Sequence, residues 1–146
     1  MLLSAPGDDP ERSFFVHPAK LGEALVVVRP GTAPCLGYFT PMERDEAAVT
    51  GLALLTPEDL DVARWSRDTP QPGAFQANVL GQALLHSGVA PGRIALAGRL
   101  PFGLAHEVLA RLSGEGWSFV SASEGLLALR KHKTVRELTE IRRVAG

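Results

Sequence analysis

The sequence holds a single cysteine, Cys35, among its 146 residues. One thiol excludes an intramolecular disulfide and any zinc site built on several cysteines. Cys35 lies in the apolar run PCLGYF, which reads as a packed, inert thiol rather than a nucleophile. Aromatics are sparse at 6%, and the net charge is only −1, so charge gives no whole-chain reason to expect nucleic acid. No segment approaches the ~20 apolar residues that span a bilayer. No cationic stretch followed by an apolar one opens the chain, so a cytoplasmic protein without a membrane partner is expected. The common site signatures are missing as well: GxxxxGK[ST], GxGxxG after a strand, GxSxG and HExxH do not occur. None of His17, His86, His106 and His132 stands four residues from another ligand type.

What is present is an ordinary globular composition, 45% hydrophobic and 21% charged, in a length that suits one domain. Glycines and prolines are scattered as punctuation between short elements. MLLSA reads as a strand, GDDPERS as a polar loop and FFVH as a brief apolar piece. ALVVVR (24–29) is a continuous β-branched run that predicts a buried strand, with PCLGYF as its hairpin partner. Thr40-Pro41-Met42-Glu43 and Thr56-Pro57-Glu58-Asp59 share one helix-start design: a hydroxyl cap, proline in the first turn, and an acid able to bond back. The first of these helices should end at Gly51, with LALL (52–55) a strand after it. The second should turn Leu60, Ala63 and Trp65 inward, and SRDTPQPG should be a loop.

In the second half the spacing predicts a helix over 74–87, a strand at RIALAG and a helix from Pro101 with Leu104, Ala105, Val108, Leu109 and Leu112 buried. WSFVS is a further strand and SASEGLLALRKHK a further helix. Strand alternating with helix, plus one hairpin, predicts an α/β domain with a mixed sheet flanked by helices.

Isolated chemistry is thin. Asp8, Asp9 and Glu11 bunch beside His17, but carboxylates in a Gly/Pro-rich stretch are turn formers, and calcium-loop spacing is missing. His106 and Glu107 belong to a solvated helix flank, and His86 to a helix C-terminus favoured by the dipole. GRLPFG follows a strand, yet Pro101 removes one N–H from any phosphate cradle. His17, after Phe14-Phe15, is the most interesting single residue, with a ligand-facing role and simple packing as its two readings.

The closing segment LRKHKTVRELTEIRRVAG is the most strongly patterned. It carries six Lys/Arg against Glu137 and Glu140, a net of +4 on a body of −5. Thr134 and Glu137 make a capping box, and Val135, Leu138, Ile141 and Ala145 form one apolar stripe. This segment resembles the junction of the creatinase/Xaa-Pro peptidase (prolidase, aminopeptidase P) family of pita-bread metallopeptidases. There, a pattern LR-x-x-K-[ST]-x-x-E-[IL]-x-x-[IL]-R-x-A joins a smaller N-terminal α/β domain to the catalytic domain. Leu129, Arg130, Lys133, Thr134, Glu137, Leu138, Ile141 and Arg142 fall on it, and Ala145 stands one place past its closing alanine, where the pattern position itself is Val144. RIALAGRLPFGLAHEVLARL with GWSFVSASEGLLALR is similar to the family's last strand–helix–strand unit, and ALVVVRPGTAPCLGYFTPMERDEA to its sheet hairpin and the element after it.

The resemblance implies a creatinase N-terminal-like fold of ribonuclease H-like layered architecture over residues 1–132. Residues 133–146 would be a junction helix leading to a catalytic domain outside this sequence. It implies no catalytic residue and no metal ligand here. The parent enzyme would hold two divalent ions (Mn, Co or Zn) in the other domain, on two aspartates, a histidine and two glutamates. The implied partners are that catalytic domain, a second copy in a homodimer, and a proline-containing peptide substrate, with Phe15 and His17 lining its pocket. Val135, Leu138, Ile141 and Ala145 would dock between domains. Two departures stand against the family pattern: the usual helix before the first strand is missing, and so are the metal-ligand residues. The alternative is a stand-alone α/β binding module for a small ligand or a protein partner.

Overall fold

The computed structural model describes residues 1–6, 9–133, 135, 138, 139, 142 and 143, with residues 4–6 as backbone alone. Six strands form one mixed sheet: β1 (Leu2–Pro6), β2 (Glu23–Val27), β3 (Cys35–Tyr38), β4 (Ala53–Leu55), β5 (Arg93–Gly98) and β6 (Ser118–Ser121), in the order β4-β3-β2-β1-β5-β6. β2 runs antiparallel to both β1 and β3, as the predicted hairpin requires. The β1–β5, β5–β6 and β3–β4 pairs are parallel.

The helices are α1 (Pro10–Val16), α2 (Arg44–Ala48, after a 3₁₀ turn at Pro41–Glu43), α3 (Val62–Asp68), α4 (Pro72–His86), α5 (Phe102–Gly114) and α6 (Ser123–Lys131). They divide between the two sheet faces. One face packs Leu2, Leu25, Val27 and Ile94 against Val79, Leu80, Ala83 and Leu84 of α4 and Val108 and Leu112 of α5. The other packs Leu3, Ala24, Val26 and Leu36 against Val16 of α1, Ala47 of α2 and Leu126 of α6. Period-2 alternation sends neighbouring residues of β2 to opposite cores, so burial on both faces explains its unbroken apolar run. Among the described residues no helix is long and apolar enough to cross a membrane.

Three expectations are corrected. Pro10–Val16 is one helix, not the end of a polar loop followed by a separate apolar piece: Asp9 caps it, accepting from the N–H groups of Glu11 (2.9 Å) and Arg12 (3.0 Å), and Pro10 fills its first turn. The cap and the first-turn proline repeat the Thr-Pro design with aspartate in the hydroxyl's place, but the fourth position is Arg12 rather than an acid. At Thr40 the cap is not made, and Glu43 does not bond back. Its carboxylate accepts from Gly22 N–H (2.6 Å), as Glu46 accepts from Lys20 N–H (2.6 Å), so both acids fasten the loop before β2.

At Thr56 the box does close, with Asp59 N–H on Thr56 Oγ1 (3.2 Å) and Asp59 Oδ2 on Thr56 N–H (2.8 Å). The helix it opens nevertheless stops after one turn. Asp61 takes a left-handed φ of 54°, Val62 N–H bonds to Pro57 O and Asp61 N–H to Glu58 O, the pairing that terminates helices. α3 restarts from there. Leu60 is therefore buried, Ala63 is exposed, and Ser66–Asp68 of the expected loop are helical.

Candidate functional site

Arg12 fixes α1 in place. Its guanidinium, though 99% shielded from solvent, donates from Nη2 to Leu21 O (2.7 Å) and from Nη1 to Gly22 O (2.9 Å). Those carbonyls belong to the loop entering β2, the same loop held by Glu43 and Glu46. Asp9 and Glu11 fix the other end. Asp9 Oδ2 accepts from Arg99 Nε (2.7 Å), and Glu11 Oε2 accepts from Gly98 N–H (2.8 Å), where β5 ends. Burial works to raise the carboxyl pKa of Asp9. The N–H of Arg12, the side chain of Arg99 and the N–H of Glu11 outweigh it and hold Asp9 below the usual carboxylate range. These acids are thus committed to backbone and arginine. Among the described residues no group of three or more His, Cys, Asp or Glu could hold a metal.

With α1 so anchored, one of its faces is turned outward. Pro10, Ser13, Phe14 and His17 stand at helical i, i+3, i+4 and i+7, and together with Arg130 and Lys133 they line an open groove of about 440 Å³. Phe14 is 43% exposed and meets Phe15 edge-on at 5.2 Å between ring centroids. Ser13 Oγ donates to Asp9 O (3.0 Å), and Lys133 Nζ donates to Arg130 O. The groove therefore sets an aromatic edge and an imidazole against two cations, with no carboxylate among the described residues lining it. Such a lining suits an anionic group carried on an apolar body; among the described residues it contains no hydrogen-bonded pair of nucleophile and base.

Of the two residues expected to line a pocket, His17 is in this groove. Phe15 is half-buried on the other side of α1, against the core that contains Leu3 and Val16. Phe14 takes the position expected of Phe15, because the pair lies on a helix, where neighbouring residues point about 100° apart. Ser13, Arg130 and Lys133 escape sequence reasoning. The 10/13/14/17 spacing signals the face once α1 is read as a helix, but nothing local brings residue 17 to residue 130.

α6 ends at Lys131, His132 is extended (φ −85°, ψ 112°), and residues 135, 138, 139, 142 and 143 are helical again. Val135 is 82% exposed and Leu138 39%. The other docking residues, Ile141 and Ala145, and the cap pair Thr134 and Glu137, lie outside the described residues. His86 sits at the C-terminal end of α4, with Nε2 3.7 Å from Asp59 Oδ1. His106 and Glu107 are exposed on α5, and Cys35 is half-buried in β3. Comparison with protein-family models, with curated proteins and with solved structures finds no match to this chain.

Proposed function

We propose that this chain is the non-catalytic N-terminal domain of a creatinase-like Xaa-Pro dipeptidase or aminopeptidase. The observation that carries the reading is the junction pattern from Leu129 to Arg142, which begins in the last turn of α6, the helix that closes a β5-α5-β6-α6 unit. Helices on both faces of a mixed sheet agree with the creatinase N-terminal, ribonuclease H-like architecture that the resemblance implies. In this reading the two divalent ions and the peptide-bond chemistry belong to the catalytic domain. The described residues here offer no ligand cluster for them, so no step of hydrolysis is assigned to this chain.

Its own part is to bind and to position. The exposed apolar residues Val135 and Leu138 dock the tail against the catalytic domain, and homodimerisation brings the α1 face to a partner's site. There His17 and Phe14 line the space for a proline-containing peptide, and Arg130 and Lys133 attract its anionic end.

Two measurements test this. The gene's reading frame beyond the codon for Gly146 is expected to encode two Asp, one His and two Glu at metal-ligand spacing. The longer protein is expected to cleave Gly-Pro or Xaa-Pro peptides with Mn²⁺ or Co²⁺, and His17→Ala to raise KM severalfold with kcat nearly unchanged. Metal-dependent turnover by the 146-residue chain alone would overturn the proposal, as would a frame without those ligands.

A further inference from the structure

The carboxyl ends of the parallel neighbours β1 and β5 lie side by side, and the chain leaves them toward opposite layers. β1 leads into α1 on one face, β5 into α5 on the other. In open α/β sheets such a divergence opens a crevice beyond the strand ends, and ligands bind there. Gly98 ends β5 with a φ of 93° and no side chain, so nothing from that position fills the space. On the α4/α5 face, between the end of β5 and α5, lies a half-open cleft of about 160 Å³. Its lining takes Leu2 from β1, Leu80 from α4, Val108 and Leu112 from α5, each no more than 3% exposed. Among the described residues that line it none is charged, and Ser123 supplies the one side-chain hydroxyl.

We infer that this cleft is a binding site for a small, neutral, apolar molecule of about the size of benzene. An ionised ligand would find no opposite charge among the described side chains that line it, and part of its water would be displaced by leucine and valine. An enclosed apolar cavity of roughly 150 Å³ accepts benzene, so a cleft of this volume has room for a molecule of that size. The occupant is a free molecule: four of the residues that meet it, Leu2, Leu80, Val108 and Leu112, belong to the buried core. This site is separate from the groove on α1 and does not depend on the family reading.

The test is a titration of the purified chain with benzene, followed in methyl-resolved NMR spectra. Saturable shifts are expected at the methyl groups of Leu80, Leu96, Leu109 and Leu112, with Leu36 and Leu126 in the opposite core unmoved. Ala105→Phe places a ring in the cleft and should weaken binding at least tenfold. Ala110→Phe, on the exposed flank of the same helix, should leave it unchanged. Shifts that never saturate, shifts spread evenly over both cores, or wild-type affinity in a natively folded Ala105→Phe variant would each overturn the inference. Should Ala105→Phe fail to fold, the wild-type titration decides by which methyl groups move.

Discussion

Replacing Asp9 probes the join on which the α1 groove depends. The carboxylate, 2% exposed, caps α1 through two N–H groups and accepts a third bond from Arg99. Losing a helix cap costs about 0.5–2 kcal/mol. A bond to a buried charge contributes about 1.5–3 kcal/mol. Arg99 is 59% exposed, so solvent screens its share to about 1 kcal/mol or less. These terms overlap, and Asp9→Ala should therefore destabilise by about 3 kcal/mol in total. Asp9→Asn keeps an oxygen for the cap but sets an amide N–H₂ against Arg99, and should lose about half as much.

Urea unfolding followed by the fluorescence of Trp65 and Trp117 measures both. With m of about 1.5 kcal/mol per molar, the Ala variant's midpoint falls by about 2 M. Because the folded pKa of Asp9 is depressed, its stabilisation is fully present above the unfolded value of ~3.9 and is lost as pH falls through the folded value. The gap between wild type and Asp9→Asn must then shrink below about pH 4. An Ala variant within about 0.5 kcal/mol of wild type, or a gap unchanged between pH 7 and pH 3, would refute the reasoning.

Two further substitutions report on packing and backbone. A methyl at Gly37 in β3 would sit 2.8 Å from Cγ of Leu25 on β2 and 3.3 Å from Cδ1 of Leu60, so Gly37→Ala should cost about 1–3 kcal/mol in the same urea assay. Asp61 holds its left-handed φ of 54° without glycine's freedom, and its ion pair with Arg64 (3.8 Å) is exposed. Asp61→Gly should therefore be neutral or raise the melting temperature slightly, and Asp61→Val should lower stability by about 1–2 kcal/mol.

The sheet and its flanking helices were legible in the sequence because burial dictates period. The run Ala24–Val27, the stripe of α5 and the glycine-closed α4 each carry their own signal. The start of α1 carried one too, in Asp9-Pro10-Glu11, but the polar, proline-containing stretch resembles a turn until the aspartate is seen as a cap. The break at Asp61 was not legible, since a box at Thr56 specifies how a helix begins and says nothing of where it stops. The groove was half legible. His17 stood out by its type and neighbours, whereas Arg130 and Lys133 reach it through tertiary packing across more than a hundred residues. Glu43 and Glu46 show the same limit: their partners, Gly22 and Lys20, are backbone groups that no side-chain pattern announces.

The order of the strands also sets a timetable for synthesis. β1, β2 and β3 can pair as soon as the first forty residues emerge, but β1's other edge waits for β5. About 65 residues separate the end of β2 at Val27 from the start of β5 at Arg93. At roughly 5–20 residues per second, that leaves the edge of an apolar central strand open for about 3–13 s on the ribosome. An open strand edge is a template for pairing with another chain. The mixed sheet that is closed and quiet in the finished domain is thus at its most vulnerable midway through translation, when nascent copies on one message lie close together.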